Sequence, residues 1–190
     1  MNQVLELLRH RRSAKIALLK EPGPSAGELD TILTIAARVP DHKRVVPWRF
    51  VVFEGDARAR FGDVLAQTLK TESPEEPSTA RLELEQQRLL RAPLVIAVIS
   101  RAKDMPGVPE IEQLLSGGAA AFNLCLAANA MGYGTCWVTE WYAFSKGVGV
   151  ALGLGPDERV AGFIYIGTET EKQADRDRPV MSEIVSRWQG

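Results

Sequence analysis

Apolar positions recur along the chain at two periods, and the alternation lays out most of the fold. Val4, Leu5, Leu7 and Leu8 fall at helical spacing and predict a short amphipathic helix that runs into the basic cluster Arg9 to Arg12. The stretch EPGPSAGE interrupts it with two prolines and two glycines. Ser25 and Glu28 then stand at capping-box spacing ahead of Leu29, Ile32, Leu33, Ala36 and Ala37, a second helix that should end before Pro40. Trp48 to Phe53 reads as a strand. Asp56 is placed to cap a helix reaching about Thr71, with Phe61, Val64, Leu65 and Leu69 on one face.

After the polar break ESPEEPS, Thr79 to Leu90 reads as a charged helix. LVIAVIS, residues 94 to 100, is nearly unbroken in its apolar, β-branched character and predicts a central strand covered on both faces. RAKDMPGVPE is a loop, and Ile111 to Met131 is the longest helix, its middle GGAAAFNLCLAANAMG rich in small side chains. GTCWVT and Ala161 to Ile166 are two further strands, Lys146 to Leu154 a short helix, and Met181 to Trp188 a closing helix. Helices thus alternate with about four strands, with no Asn-Gly hairpin signal between them. An α+β, three-layer α/β/α sandwich around a mixed central sheet follows, as one domain over residues 1–190 without repeat or linker.

Composition narrows the function classes. An apolar fraction of 45% and a charged fraction of 25% are ordinary for a globular chain. Twenty-three Lys and Arg against 24 acidic residues give a net charge of −1, so no global basic field exists to recruit nucleic acid or anionic lipid. Cation-driven binding must be local. Cys125 and Cys136 make neither a disulfide framework nor a zinc site and are expected in the core. His10 and His42 stand alone, which argues against a metal. The N-terminus lacks the apolar segment of a signal peptide, and no apolar run approaches the roughly 20 residues needed to span a bilayer, so a cytoplasmic protein is the default.

Two glycine- and serine-based motifs fail. GVGVALGLG, Gly147 to Gly155, is one residue too long for a dinucleotide fingerprint and lies within a helical pattern. No Gly-x-Ser-x-Gly elbow is present.

Three cationic spots remain. RRSAK, Arg11 to Lys15, follows the first helix; an Arg fork and a Ser hydroxyl suit a phosphate, although cations at a helix C-terminus also favour the macrodipole. ARVPDHKRVVPWRF packs Pro40, Asp41, His42, Lys43, Arg44 and Pro47 into eight positions before a core strand, with Arg38 just upstream. Arg176 and Arg178 lie in a polar loop before Pro179. On a nearly neutral chain these spots suggest local anion capture. Trp137, Trp141 and Tyr142 read from the residues alone as core or interface aromatics rather than substrate contacts, and Trp48 as core.

RRSAK, the PDHKRVVPWRF junction, the Gly/Ala-rich helix and GYGTCWVT, in that order over nearly the whole chain, resemble the FMN-dependent nitroreductase family, in particular its short branch. The resemblance implies a homodimer of α+β subunits, a mixed but mainly antiparallel sheet, and FMN in the dimer interface. It assigns Arg11, Arg12 and Ser13 to the ribityl phosphate and Lys15 to the pyrimidine edge of the flavin. Arg38 and His42 match positions that reach the other subunit's cofactor, and Trp137, Val138 and Thr139 match the strand end lining the isoalloxazine ring. Arg176 and Arg178 resemble a C-terminal phosphate-binding pair of longer members, and Ala127 to Gly132 a nicotinamide-nucleotide contact. The implied activity is hydride transfer from NAD(P)H through flavin N5 to a nitroaromatic or quinone by ping-pong kinetics. A relative with other flavin chemistry, such as reductive dehalogenation or flavin breakdown, and a flavin-binding protein without turnover are the alternatives.

Overall fold

In the computed structural model, which describes residues 2–190, five strands form one sheet. They are β1 (Leu19–Lys20), β2 (Trp48–Phe53), β3 (Leu94–Ser100), β4 (Gly134–Val138) and β5 (Arg159–Glu169). All four strand pairings are antiparallel: β2 with β3, β3 with β5, β4 with β5, and β1 with the C-terminal end of β5. The helices are α1 (Gln3–His10), α2 (Ala26–Ala36), α3 (Ala57–Glu72), α4 (Thr79–Gln86), α5 (Glu110–Ala130), α6 (Lys146–Ala151) and α7 (Met181–Ile184).

The unbroken apolar runs of β3 and β5 are explained by cover on both faces. Successive strand residues point to opposite sides. Val95, Ala97, Phe163 and Tyr165 join Phe61 and Leu65 of α3 on one side. Ile96, Val98, Ile164 and Ile166 join Ile32 of α2 and Leu124 and Ala128 of α5 on the other. All seven residues of β3 are buried. The result is a three-layer sandwich in which the two central strands have no solvent face.

The local signals act where the sequence put them. Ser25 and Glu28 form the capping box that starts α2. Asp56 precedes α3 but makes no side-chain cap bond, so that helix rests on packing. The expected helix from Thr79 to Leu90 stops at Gln86 and is followed by a 3₁₀ turn, Leu89–Arg91. The closing helix shrinks to the single turn α7, all of it exposed; without a buried face, few residues can propagate a helix in water. By length and composition α5 is apolar enough to cross a membrane, contrary to the expectation that no segment was, but eight of its residues are buried in this core.

Charged side chains tie the layers together. Arg49 on β2 forks onto Glu158 with bonds of 2.8 and 2.7 Å, and Glu158 also accepts from the Gly155 amide at 3.0 Å. The hydrogen bonds from Arg49 hold the Glu158 carboxyl down at about 2, against an ordinary value of 4.5. A depressed folded-state pKa contributes stability above the unfolded value and loses it as the group protonates. Acid unfolding should therefore draw on this pair between about pH 4.5 and pH 2. Urea unfolding of Glu158→Gln across that range should show a shallower loss of stability than the parent.

Candidate functional site

Where α1 ends, the Arg11 amide donates to the Leu7 carbonyl at 2.8 Å, and the chain turns extended. Ala14 then donates to the Thr135 carbonyl at 2.8 Å, so the segment from Arg11 to Lys15 runs beside the start of β4. This docking brings the N-terminal basic cluster, α5 and the β4 exit around one cavity of about 420 Å³. Arg11, Ser13, Phe122, Cys125, Thr135, Trp137, Thr139 and Ala161 line it. The Arg11 guanidinium lies 5.7 Å from the Phe122 ring centroid, within cation–π range. Its Nε–H is buried and has no hydrogen-bond partner. Buried donors are nearly always paired, so this one marks a place where an acceptor fits.

Arg11 also walls a second cavity of about 250 Å³, with Arg12, His10, Asn129, Gly132, Tyr133, Glu169 and Lys172 among its lining. Glu169 Oε1 is likewise buried without a partner there. Burial pushes the Cys125 thiol up to about 11, which disfavours the reactive thiolate.

Four of the residues singled out from the sequence, Arg11, Ser13, Trp137 and Thr139, share the first cavity. Arg12 instead lines the second and donates through Nε to the Ala174 carbonyl at 3.1 Å, which holds the C-terminal segment beside the basic cluster. Lys15 is exposed on the same segment. Val138 alternates away from the cavity and packs into the core on the opposite face of the sheet. Arg176 and Arg178 line neither cavity; both are exposed, and Arg178 is paired with Asp175 at 2.7 Å. Of the stretch 127–132, Asn129 and Gly132 face the second cavity, while Ala127 and Ala128 are core. Tyr142 is fully buried, Trp48 nearly so, and Trp141 donates to Glu85 at 3.1 Å.

Arg38 and His42 stand apart from both cavities of this chain. His42 Nδ1 meets Glu112 Oε2 at 2.6 Å, beside an apolar hollow formed by Pro40, Leu115, Ser116 and Ala119. The backbone there is strained. Lys43, Arg44 and Val46 all take positive φ, 56°, 54° and 51°. A left-handed conformation costs an L-residue about 1–2 kcal/mol. Asp41 holds the turn by accepting the Val45 amide at 3.0 Å and the Val46 amide at 2.8 Å. Val46 is exposed and packs little. Val46→Gly should therefore raise the stability of the apo protein by about 1 kcal/mol, or a few degrees in Tm by calorimetry.

Phe122, Cys125, Thr135 and Ala161 line the first cavity and were not singled out as site residues from the sequence. Phe122 carried a signal: it is the one aromatic side chain in an otherwise Gly/Ala-rich helix.

Residues 8–168 match the model of the Nitroreductase family. The chain belongs to that family. It is 37% identical over 164 residues to "Putative NAD(P)H nitroreductase YdjA" of Escherichia coli K12, covering 86% of this chain and 87% of that one. Its fold is similar to that of a nitroreductase-like family protein from Bacillus cereus, with a TM-score of 0.86 and 21% identity over 100% of this chain and 98% of that one. A nitroreductase from Desulfovibrio desulfuricans, described as a complex with FMN, superposes with a TM-score of 0.74 and 24% identity over 98% of this chain and 97% of the other. As the resemblance implied, the central sheet lies between helical layers, and all four of its strand pairings are antiparallel.

Proposed function

We propose that this nitroreductase is an FMN-dependent oxidoreductase that uses NAD(P)H to reduce an aromatic acceptor, a nitroaromatic or a quinone. The observation that carries this reading is Arg11, whose buried Nε–H has no partner in the chain and which lines one cavity with Ser13, Trp137 and Thr139. An anionic phosphate supplies the acceptor that Arg11 lacks, and charge-assisted bonds of this kind are roughly twice as strong as neutral ones. The aromatic and apolar remainder of the cavity suits a planar ring system. The name of the Escherichia coli relative and the FMN in the Desulfovibrio structure support the same assignment.

When bound, FMN supplies the two-electron relay between nicotinamide nucleotide and acceptor, and the chain supplies orientation and electrostatics. Arg11 and Ser13 bind the phosphate. Lys15, exposed on the same segment, would supply a cation to the flavin ring and favour negative charge on it. Trp137 and Thr139 bound the ring.

The enzyme works as a homodimer. Within one chain Arg38 and His42 line neither cavity, which fits their serving the site of a second copy, as the resemblance implies. Glu112 accepts from Nδ1–H of His42, which in the neutral imidazole leaves Nε2 as a hydrogen-bond acceptor. Val180, Met181, Ile184, Val185 and Trp188 of the C-terminal segment are all exposed, which supports their cover by the partner. Because reductant and acceptor use one opening in turn, the kinetics are ping-pong.

Anaerobic addition of NADPH or NADH to the FMN-loaded protein should bleach the flavin absorbance, and a nitroaromatic or quinone should restore it. A flavin that stays oxidised with both nucleotides would overturn the assigned activity.

A further inference from the structure

Beside the cavity, β5 departs from regular pairing. Val98 pairs with Gly162 and Ile99 with Val160, which leaves Ala161 as an extra residue without a partner in β3. Such a bulge re-aims groups next to it. The Ala161 carbonyl accepts a hydrogen bond from Nε1 of Trp137 at 3.2 Å. The next residue makes room for the same ring. A Cβ on Gly162 would lie 1.9 Å from Trp137 Nε1 and 2.4 Å from its Cδ1, so the pyrrole edge of the indole occupies the space a side chain would need.

Trp137 is nonetheless 38% exposed and lines the cavity with Arg11 and Thr139. A core tryptophan would need no such seat. A tryptophan whose exposed face must keep one position would.

We infer that the Ala161 bulge and Gly162 form a seat that fixes the Trp137 indole as the wall of the ring subsite. Gly162 is then a positioning residue, and Trp137 determines how a planar, multi-ring aromatic system is held. This rests on the flavin-binding reading above. The seat acts on the ring and not on the phosphate, so its loss weakens FMN and riboflavin by the same factor. Aromatic contacts of this kind correspond to about a fivefold to tenfold change in affinity.

The test is titration of FMN and of riboflavin into wild type, Gly162→Ala, Trp137→Ala and the double variant, followed by flavin fluorescence. Each single variant should bind both flavins about five to ten times more weakly, with the FMN-to-riboflavin ratio unchanged. Adding Gly162→Ala to Trp137→Ala should cost nothing further, because the ring that clashes is gone. Should Gly162→Ala fail to fold, Trp137→Ala carries the test alone, and restored folding in the double variant would itself support the seat. Single variants that bind flavins as wild type does, or effects that add independently, would overturn the seat while leaving the flavin reading intact. A wild type that binds no flavin would overturn both.

Discussion

Replacing Arg88 by alanine should destabilise the apo protein by about 3–5 kcal/mol, the largest loss expected from a single substitution outside the apolar core. Glu85 is fully buried and its charge is held by Arg88, whose Nε and Nη2 reach it at 2.9 and 2.5 Å. Arg81 and Trp141 complete its shell at 2.9 and 3.1 Å. On its other side Arg88 bonds Glu140 at 2.6 Å, and Arg91 bonds the same carboxylate at 2.9 Å. Arg91 continues to the Tyr165 hydroxyl at 3.0 Å, which meets the Tyr142 hydroxyl at 2.9 Å. Removing Arg88 leaves a buried carboxylate with one half-exposed cation, Arg81. Breaking such a pair costs far more than replacing both partners by apolar groups of similar volume. Urea unfolding of Arg88→Ala should thus show a much lower midpoint than that of the double replacement Glu85→Leu with Arg88→Met. Similar midpoints for the two would mean that the network is not a coupled buried unit. Glu140 directly follows Thr139, so the same network anchors the β4 exit that bounds the cavity.

The second large effect is on ligand binding. Arg11→Ala should weaken FMN binding about tenfold to hundredfold, since a hydrogen bond to a charged group is worth about 1.5–3 kcal/mol and each 1.4 kcal/mol is a factor of ten. Riboflavin, which lacks the phosphate, should lose far less. Arg9→Ala removes an exposed cation of the same cluster and lines neither cavity, so it should change little. Equal losses for FMN and riboflavin in Arg11→Ala would assign Arg11 to the ring and not to the phosphate.

The elements most legible in the sequence were those with an internal signal. β2 and β3 have the bounds expected of them because β-branched and aromatic runs are delimited by Pro47 and Pro93. The capping box marked the start of α2. β1 has only two residues and no pattern to read. The 3₁₀ turn at Leu89–Arg91 answers to tertiary demands, the burial of Leu89 and the ion network around Arg88, that periodicity does not report.

In the site, Arg11, Ser13, Trp137 and Thr139 were legible as motif residues. Phe122 and Cys125 were not, because which face of a small-residue helix turns toward a cavity depends on what packs across from it. Val138 stands apart from the two residues beside it for another reason. It is adjacent in sequence to Trp137 and Thr139, but strand alternation sends it into the core. Gly162 inside an apolar strand was the visible trace of the bulge at Ala161.

Sedimentation equilibrium monitored at the flavin absorbance tests most directly whether cationic side chains of two chains hold each cofactor. With added FMN, the flavin should travel with a particle of twice the 20.9 kDa chain mass, at one FMN per chain. A colourless particle of single-chain mass, with all flavin left free, would contradict it.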